Sequence, residues 1–248
     1  MLNTFLLFLA AVYLLRGKGL LWTSCLIGGL AMAFSGQSFS IISAGHLGKF
    51  GMMPCAVLML GLLDRAISRR SVLHYSLAGC VAAMGMFEQP DVMLLFYALG
   101  ACYAFYKIWL ERPAEGKVIS LAKHSAGVLL AAVVFVAVAL PTLMSTLGGR
   151  VEERGEVIKG SGMTPYDYST CWSMPPEEVL EFIVPSFFGA QTSDQALPYW
   201  GRLGQGGPED NNALKRLKSL RQHNVYLGIM QVVFALFAIG IGLWGITR

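Results

Sequence analysis

The chain has 248 residues, 55% of them hydrophobic and only 14% charged, with a mean hydropathy of +0.56 and a formal net charge of +4. Soluble domains carry about a quarter charged residues, so this composition excludes a disordered chain, a secreted disulfide scaffold and a nucleic-acid-binding domain. Residues 145–224 hold 18 of the 34 charged side chains, which leaves the remainder too poor in charge to clothe a water-facing surface.

An apolar helix needs about 20 residues to cross the hydrocarbon of a bilayer. In chain order, seven segments approach that length: 2–15, 19–34, 50–63, 72–87, 91–109, 124–144 and 224–246. The expected fold is therefore all-α, a polytopic transmembrane bundle of about seven spans with one long external loop. It divides into a bundle of about six helices over 1–144, an external loop with short interfacial helices over 145–223, and a last transmembrane helix over 224–248. Segments 50–63 and 72–87 are short and interrupted by glycine and Pro54, as expected of helices buried among neighbours that satisfy their backbone.

Basic residues orient the spans. Arg16, Lys18, Arg65, Arg69, Arg70, Lys107, Arg112, Lys117, Lys123 and Arg248 fall on one side with Asp64, Glu111 and Glu115. That side carries the positive excess and reads as cytoplasmic, which places the 145–224 stretch outside. Lys215, Arg216, Lys218 and Arg221 oppose this locally, but long loops translocate largely regardless of charge. In this topology Met1 lies outside against an apolar helix, so the chain reads as starting one helix late. No Cys/His cluster with zinc spacing occurs, and four of the five cysteines fall within apolar runs, where thiols act as small hydrophobes.

Three polar stretches could carry chemistry. After the second span, Gly45-His46-Leu47-Gly48-Lys49 offers backbone that a ligand can approach and two groups able to meet a phosphate; a snorkelling lysine and a turn-capping histidine are the plainer reading of the same residues. Between the fourth and fifth spans, Glu88 and Asp91 lie on a proline-constrained turn, where they could act as acid and base, hold a divalent metal, or complement a helix dipole. In the long loop, Tyr166, Tyr168, Trp172, Tyr199 and Trp200 suit stacking on sugar rings or a membrane interface. The same loop contains Ser173-Met-Pro-Pro-Glu-Glu as a helix start, with Val179, Leu180, Phe182 and Ile183 as an apolar stripe. Leu214, Leu217 and Leu220 among basic residues form an interfacial helix pattern.

Ser43-Ala-Gly-His-Leu-Gly-Lys49, the proline turn at 88–91, Tyr166-Asp-Tyr-Ser-Thr-Cys-Trp-Ser173, and Pro185-Ser-Phe-Phe-Gly189 together resemble the YfhO family of bacterial multi-pass membrane proteins. The resemblance spans about residue 20 to 246. It implies a GT-C-like glycosyltransferase that takes a sugar from a polyprenyl-phosphate donor to a cell-envelope polymer acceptor, at the outer face of the cytoplasmic (plasma) membrane. In that class an external carboxylate deprotonates the acceptor hydroxyl. The acid expected in the first external loop is absent here, so the chain reads as an internal fragment. Within this reading Glu88 and Asp91 are the catalytic candidates; His46 and Lys49 contact the donor phosphate, and Tyr168 and Trp172 shape the sugar or acceptor site. The alternatives are a lipid or envelope-precursor transporter resembling a flippase, and an inactive membrane assembly partner. Ion-coupled transport favours ionisable groups at mid-span, which the seven segments lack.

Overall fold

The computed structural model describes residues 1–36, 38, 41, 47–110, 117–145, 164, 166, 176–184, 187–189 and 229–246, and the described residues contain helices and no strand. In chain order the helices are α1 (Leu2–Gly17), α2 (Trp22–Ala33), α3 (Leu47–Arg69), α4 (Val72–Glu88), α5 (Pro90–Leu110), α6 (Lys117–Ser145) and α7 (Ile229–Ile246), with a 3₁₀ helix at Pro176–Phe182. The chain divides into two compact units, one comprising Met1–Phe34 and His46–Gly149, the other Ser35–Gly45 and Arg150–Arg248.

The first unit is built on α3. Its run Phe50, Met52, Ala56, Met59, Leu62, Leu63, Ala66 and Ile67 is buried, against α1 on one side and α4 and α5 on the other. Side-chain proximity gives the direction of each helix. Gly61 lies against Tyr13 and Gly17 against Asp64, so α1 and α3 run parallel. Gly48 and Gly51 meet Glu88 while Gly85 meets Cys55, so α3 and α4 are antiparallel. Tyr97 donates its hydroxyl to Ala82 O at 2.8 Å while Met93 lies against Gly85, which sets α5 antiparallel to α4. Tyr75 pairs with His124 near the start of both helices, and Ala83 and Met86 pack with Ala139 near their ends, so α4 and α6 run together. From α1 to α6, consecutive helices of the first unit thus reverse direction.

Local chemistry sets the reversals. Gly19 takes φ +77°, the left-handed position that closes α1 as its N–H reaches Arg16 O at 3.1 Å. Ser71 caps α4 by accepting the His74 N–H at 3.5 Å. Pro54 does not end α3, which continues for 23 residues. The expected 50–63 segment is accordingly too short at both ends, and α3 carries Asp64 and Arg65 inside the helix rather than in a loop. A proline removes one hydrogen bond to the preceding turn, and a helix packed on three sides tolerates that loss.

Among the described residues, three helical stretches are long and apolar enough to cross a membrane: Leu47–Arg69, Pro90–Leu110 and Leu121–Ser145. The first is largely buried, whereas few side chains of the Leu121–Ser145 stretch are fully buried and one face of it is exposed. Leu129, Val133, Val136 and Leu140 are all exposed, an arrangement stable only where something other than water covers it. α1, α2 and α4 are apolar but have 16, 12 and 17 residues, or about 24, 18 and 26 Å at 1.5 Å per residue.

α4 approaches α6 through small residues. A Cβ placed on Gly79 would strike the Ala131 carbonyl oxygen and lie 3.1 Å from Phe135 N, so backbone meets backbone at this crossing. Gly79→Ala is expected to lower stability by about 1–3 kcal/mol through overpacking. Gly240→Ala, in α7 with nothing within 4 Å of the new methyl, is expected to be neutral or to gain up to about 1 kcal/mol of helix propensity. Unfolding midpoints of the two variants in detergent check this opposition of sign.

In the second unit, α7 exposes Val233, Leu236, Phe237, Ile239 and Ile241. The 3₁₀ helix corrects the expected apolar stripe. Glu178 and Glu181 are buried, while Val179, Leu180 and Ile183 face outward. In a 3₁₀ helix residues i and i+3 eclipse, so the two glutamates share one face. Glu181 Oε1 accepts the Phe188 N–H at 3.4 Å, and Phe187 packs edge-to-face on Phe188 with centroids 5.1 Å apart.

Candidate functional site

One end of the first unit gathers the start of α3, the end of α4 and the start of α5. Lys49 lies half-buried in the first turn of α3, Glu88 is the last residue of α4, and Asp91 is the second residue of α5. The missing side chains of Gly48 and Gly51 let the end of α4 lie on α3. A Cβ on Gly48 would sit 2.6 Å from Glu88 O, and one on Gly51 2.6 Å from Glu88 Oε2. Glu88 therefore rests its exposed carboxylate directly on the α3 backbone surface. Asp91 is held apart, accepting the Gln89 side-chain N–H at 2.7 Å.

Glu88 stands at the mouth of a cleft of about 410 Å³ between α1, α3 and α4. Apolar side chains, among them Leu6, Leu9, Leu58 and Met84, form its walls; Asn3 joins Glu88 at the polar end, and Tyr13 and Cys55 lie further in. Asn3 and Tyr13 are ten residues apart on α1, so the cleft follows that helix for about 15 Å. Asp91 and Lys49 belong to the same end without lining the cleft. His46, Tyr168 and Trp172 lie outside the described residues. A second, larger cavity of about 540 Å³ opens between α5 and α6, walled by Phe105, Ile108, Trp109, Leu121 and Leu129, and no ionisable side chain lines it. Among the described residues, no three His, Cys, Asp or Glu side chains converge as a metal site.

The opposite end holds a cluster that reading the spans separately does not reveal. Asp64 is 1% exposed, on α3 between Leu63 and Ala66, yet its Oδ1 is the focus of three donors. Lys18, just beyond α1, donates at 2.6 Å, and Lys107 Nζ and the Tyr103 hydroxyl, both on α5, donate to the same oxygen. Lys18 also donates to Tyr103. Oδ2 faces the bare backbone of Gly17, where a Cβ would come within 3.0 Å. Beside it the Arg65 guanidinium stacks on the Tyr13 ring, 3.4 Å from the centroid, and its buried Nη1 has no hydrogen-bond partner. One carboxylate thus ties the ends of α1 and α5 to the central helix. The legible signal was an acid and a base, Asp64-Arg65, between the apolar pairs Leu62-Leu63 and Ala66-Ile67; the lysine partners of Asp64 lie 46 and 43 residues away.

The first unit defines a class, a bundle of apolar helices that reverse one after another, with its described charged side chains gathered toward the two ends. No family model matches the chain, and no curated protein or solved structure is significantly similar to it.

Proposed function

We propose that the chain is part of a polytopic membrane glycosyltransferase of the GT-C type, of the family its motifs resemble, with all seven helices crossing the cytoplasmic (plasma) membrane of a bacterium. The observation that carries this reading is the Glu88 cleft. A groove with apolar walls and a carboxylate and an amide at one end matches a substrate that is a hydrocarbon chain ending in a polar head. The polyprenyl tail of the donor lies along α1 and α3, and the phosphate and sugar emerge beside Glu88. His46, and Lys49 in the first turn of α3, contact the donor phosphate; Tyr168 and Trp172 of the long loop flank the sugar or the cell-envelope polymer acceptor. Glu88 takes the proton of the acceptor hydroxyl as its oxygen bonds to the anomeric carbon, and the bond to phosphate breaks with polyprenyl phosphate leaving. Asp91, one turn away, is the secondary carboxylate, able to share a divalent cation with Glu88.

Asp64 favours a second reading, because an ionisable group inside a membrane helix is by default a functional candidate and marks many transport pathways. Its three donors and its place near the end of α3 favour an anchoring role instead. One experiment separates the readings. Membrane vesicles with and without the chain are given polyprenyl-phosphate carrying a radiolabelled sugar. Label in polymer only when the chain is present supports transfer. Labelled lipid crossing the bilayer without incorporation supports transport, and neither result points to an inactive assembly partner.

A further inference from the structure

The Asp64 end of the first unit carries more positive charge than its own acid can balance. Lys18, Lys107 and Arg65 gather around the one carboxylate of Asp64. Arg16, Arg69, Arg70 and Lys123 lie toward the same end of the unit. The cluster is built rather than scattered. A buried carboxylate fixes Lys107, whose side chain is 12% exposed, while Lys18 keeps 41% of its side chain open to the surroundings. Arg65 is half-buried beside it, with its guanidinium on the Tyr13 ring.

Aromatic side chains mark the level of this end. Trp22 at the start of α2 is 61% exposed with Arg16 packed over its ring at 4.5 Å. Tyr106 and Trp109 near the end of α5 are exposed as well. Exposed tryptophan and tyrosine beside basic residues populate the headgroup layer of a bilayer, and basic pockets between helix ends on the positive side bind anionic headgroups.

We propose that the Lys18–Arg65 cluster is a binding site for the phosphate of an anionic phospholipid headgroup, on the side of the membrane opposite the Glu88 cleft. The inference rests on the membrane-spanning reading but not on glycosyl transfer. The phosphate meets the exposed Lys18 ammonium, with the positive charge of Arg65 behind it, and leaves Asp64 to hold Lys107. The carboxylate has a positioning role: it keeps the lysines gathered against their mutual repulsion until the lipid adds the missing negative charge.

The test uses the full chain in detergent, with bound lipid counted by native mass spectrometry after equilibration with equimolar phosphatidylglycerol and phosphatidylcholine. Preferential retention of phosphatidylglycerol, lost as salt rises, is expected. The double variant Lys18→Gln, Arg65→Gln is expected to retain about thirtyfold less, from roughly one kcal/mol per basic residue near the surface. Equal retention of the two lipids by the wild type overturns the proposal, as does unchanged preference in a double variant with wild-type helicity. Should the double variant not fold, Lys18→Gln alone, at the more exposed position, is expected to lose about fivefold, and an unchanged preference there overturns it equally. Millimolar inorganic phosphate displacing the lipid supports the same phosphate site with a soluble source. Displacement only by polyprenyl phosphate overturns the phospholipid assignment. A protein that transfers no sugar yet selects phosphatidylglycerol leaves this inference standing and removes the reading of the cleft.

Discussion

Asp64→Ala is expected to lower the stability of the bundle by about 3 kcal/mol, the lower end of the range for breaking a buried ion pair. The size follows from what stays behind. Lys18, 41% exposed, swings to solvent, whereas Lys107, 12% exposed, remains in place without the carboxylate that offset its desolvation. The direction of rescue is equally defined. Replacing both members of a buried pair by apolar residues is often neutral, so Asp64→Leu with Lys107→Leu is expected to recover most of the loss. Unfolding free energies in mixed detergent, measured for the wild type, the single variants and the double variant, give the coupling directly. Additive losses would show that Asp64 and Lys107 do not act as a pair.

Glu88→Gln is expected to reduce sugar transfer by about 10²–10⁴-fold, the usual contribution of a general base. Glutamine keeps the shape and a hydrogen-bonding oxygen but cannot accept the acceptor's proton. Donor binding survives, so a photoreactive prenyl phosphate is expected still to label cleft residues such as Leu6, Leu58 and Met84. Gly51→Leu gives the contrasting outcome. A side chain there displaces the Glu88 carboxylate, 2.6 Å from the first added carbon, and fills the cleft, so labelling and transfer fall together. Wild-type transfer in Glu88→Gln, with labelling intact, would leave Glu88 a wall of the cleft and no more.

The helices themselves were legible. Continuous apolar runs marked α1, α2, α4 and α5 to within a few residues, because an apolar stretch bounded by Gly, Pro or charge can close its backbone hydrogen bonds only as a helix. The misplaced boundaries share a cause. α3 and α6 extend well past the expected 50–63 and 124–144 segments, to Leu47–Arg69 and Lys117–Ser145, through charged residues that hydropathy reads as loop. In α3 a charge can remain helical because a neighbouring helix supplies its counter-charge, and that partner is remote in sequence. The 3₁₀ helix misleads in the same way, since a three-residue repeat turns two glutamates inward where an α-helical reading sees only the apolar stripe.

Half of the candidate site was visible in the same sense. Glu88, Asp91 and Lys49 stood out as polar residues at helix boundaries, and the fold brings them to one end of the bundle. It gives only Glu88 a cleft, because two glycines 37 and 40 residues earlier let α4 lie against α3. Asn3, Tyr13 and Cys55 gave no sign of sharing that cleft, for nothing in a residue's type reveals which neighbour an apolar helix will choose.

By itself the sequence determined the helical class, the approximate positions of the apolar segments and the charge asymmetry between their ends. All three depend on local composition and on the cost of leaving backbone polar groups unsatisfied in apolar surroundings. Only the tertiary structure decided that Asp64 gathers Lys18, Lys107 and Tyr103 at one end, and that Glu88 closes an apolar cleft at the other. Those arrangements depend on which helices pack together, and packing is decided by small residues and shape complementarity across distances that no local pattern encodes.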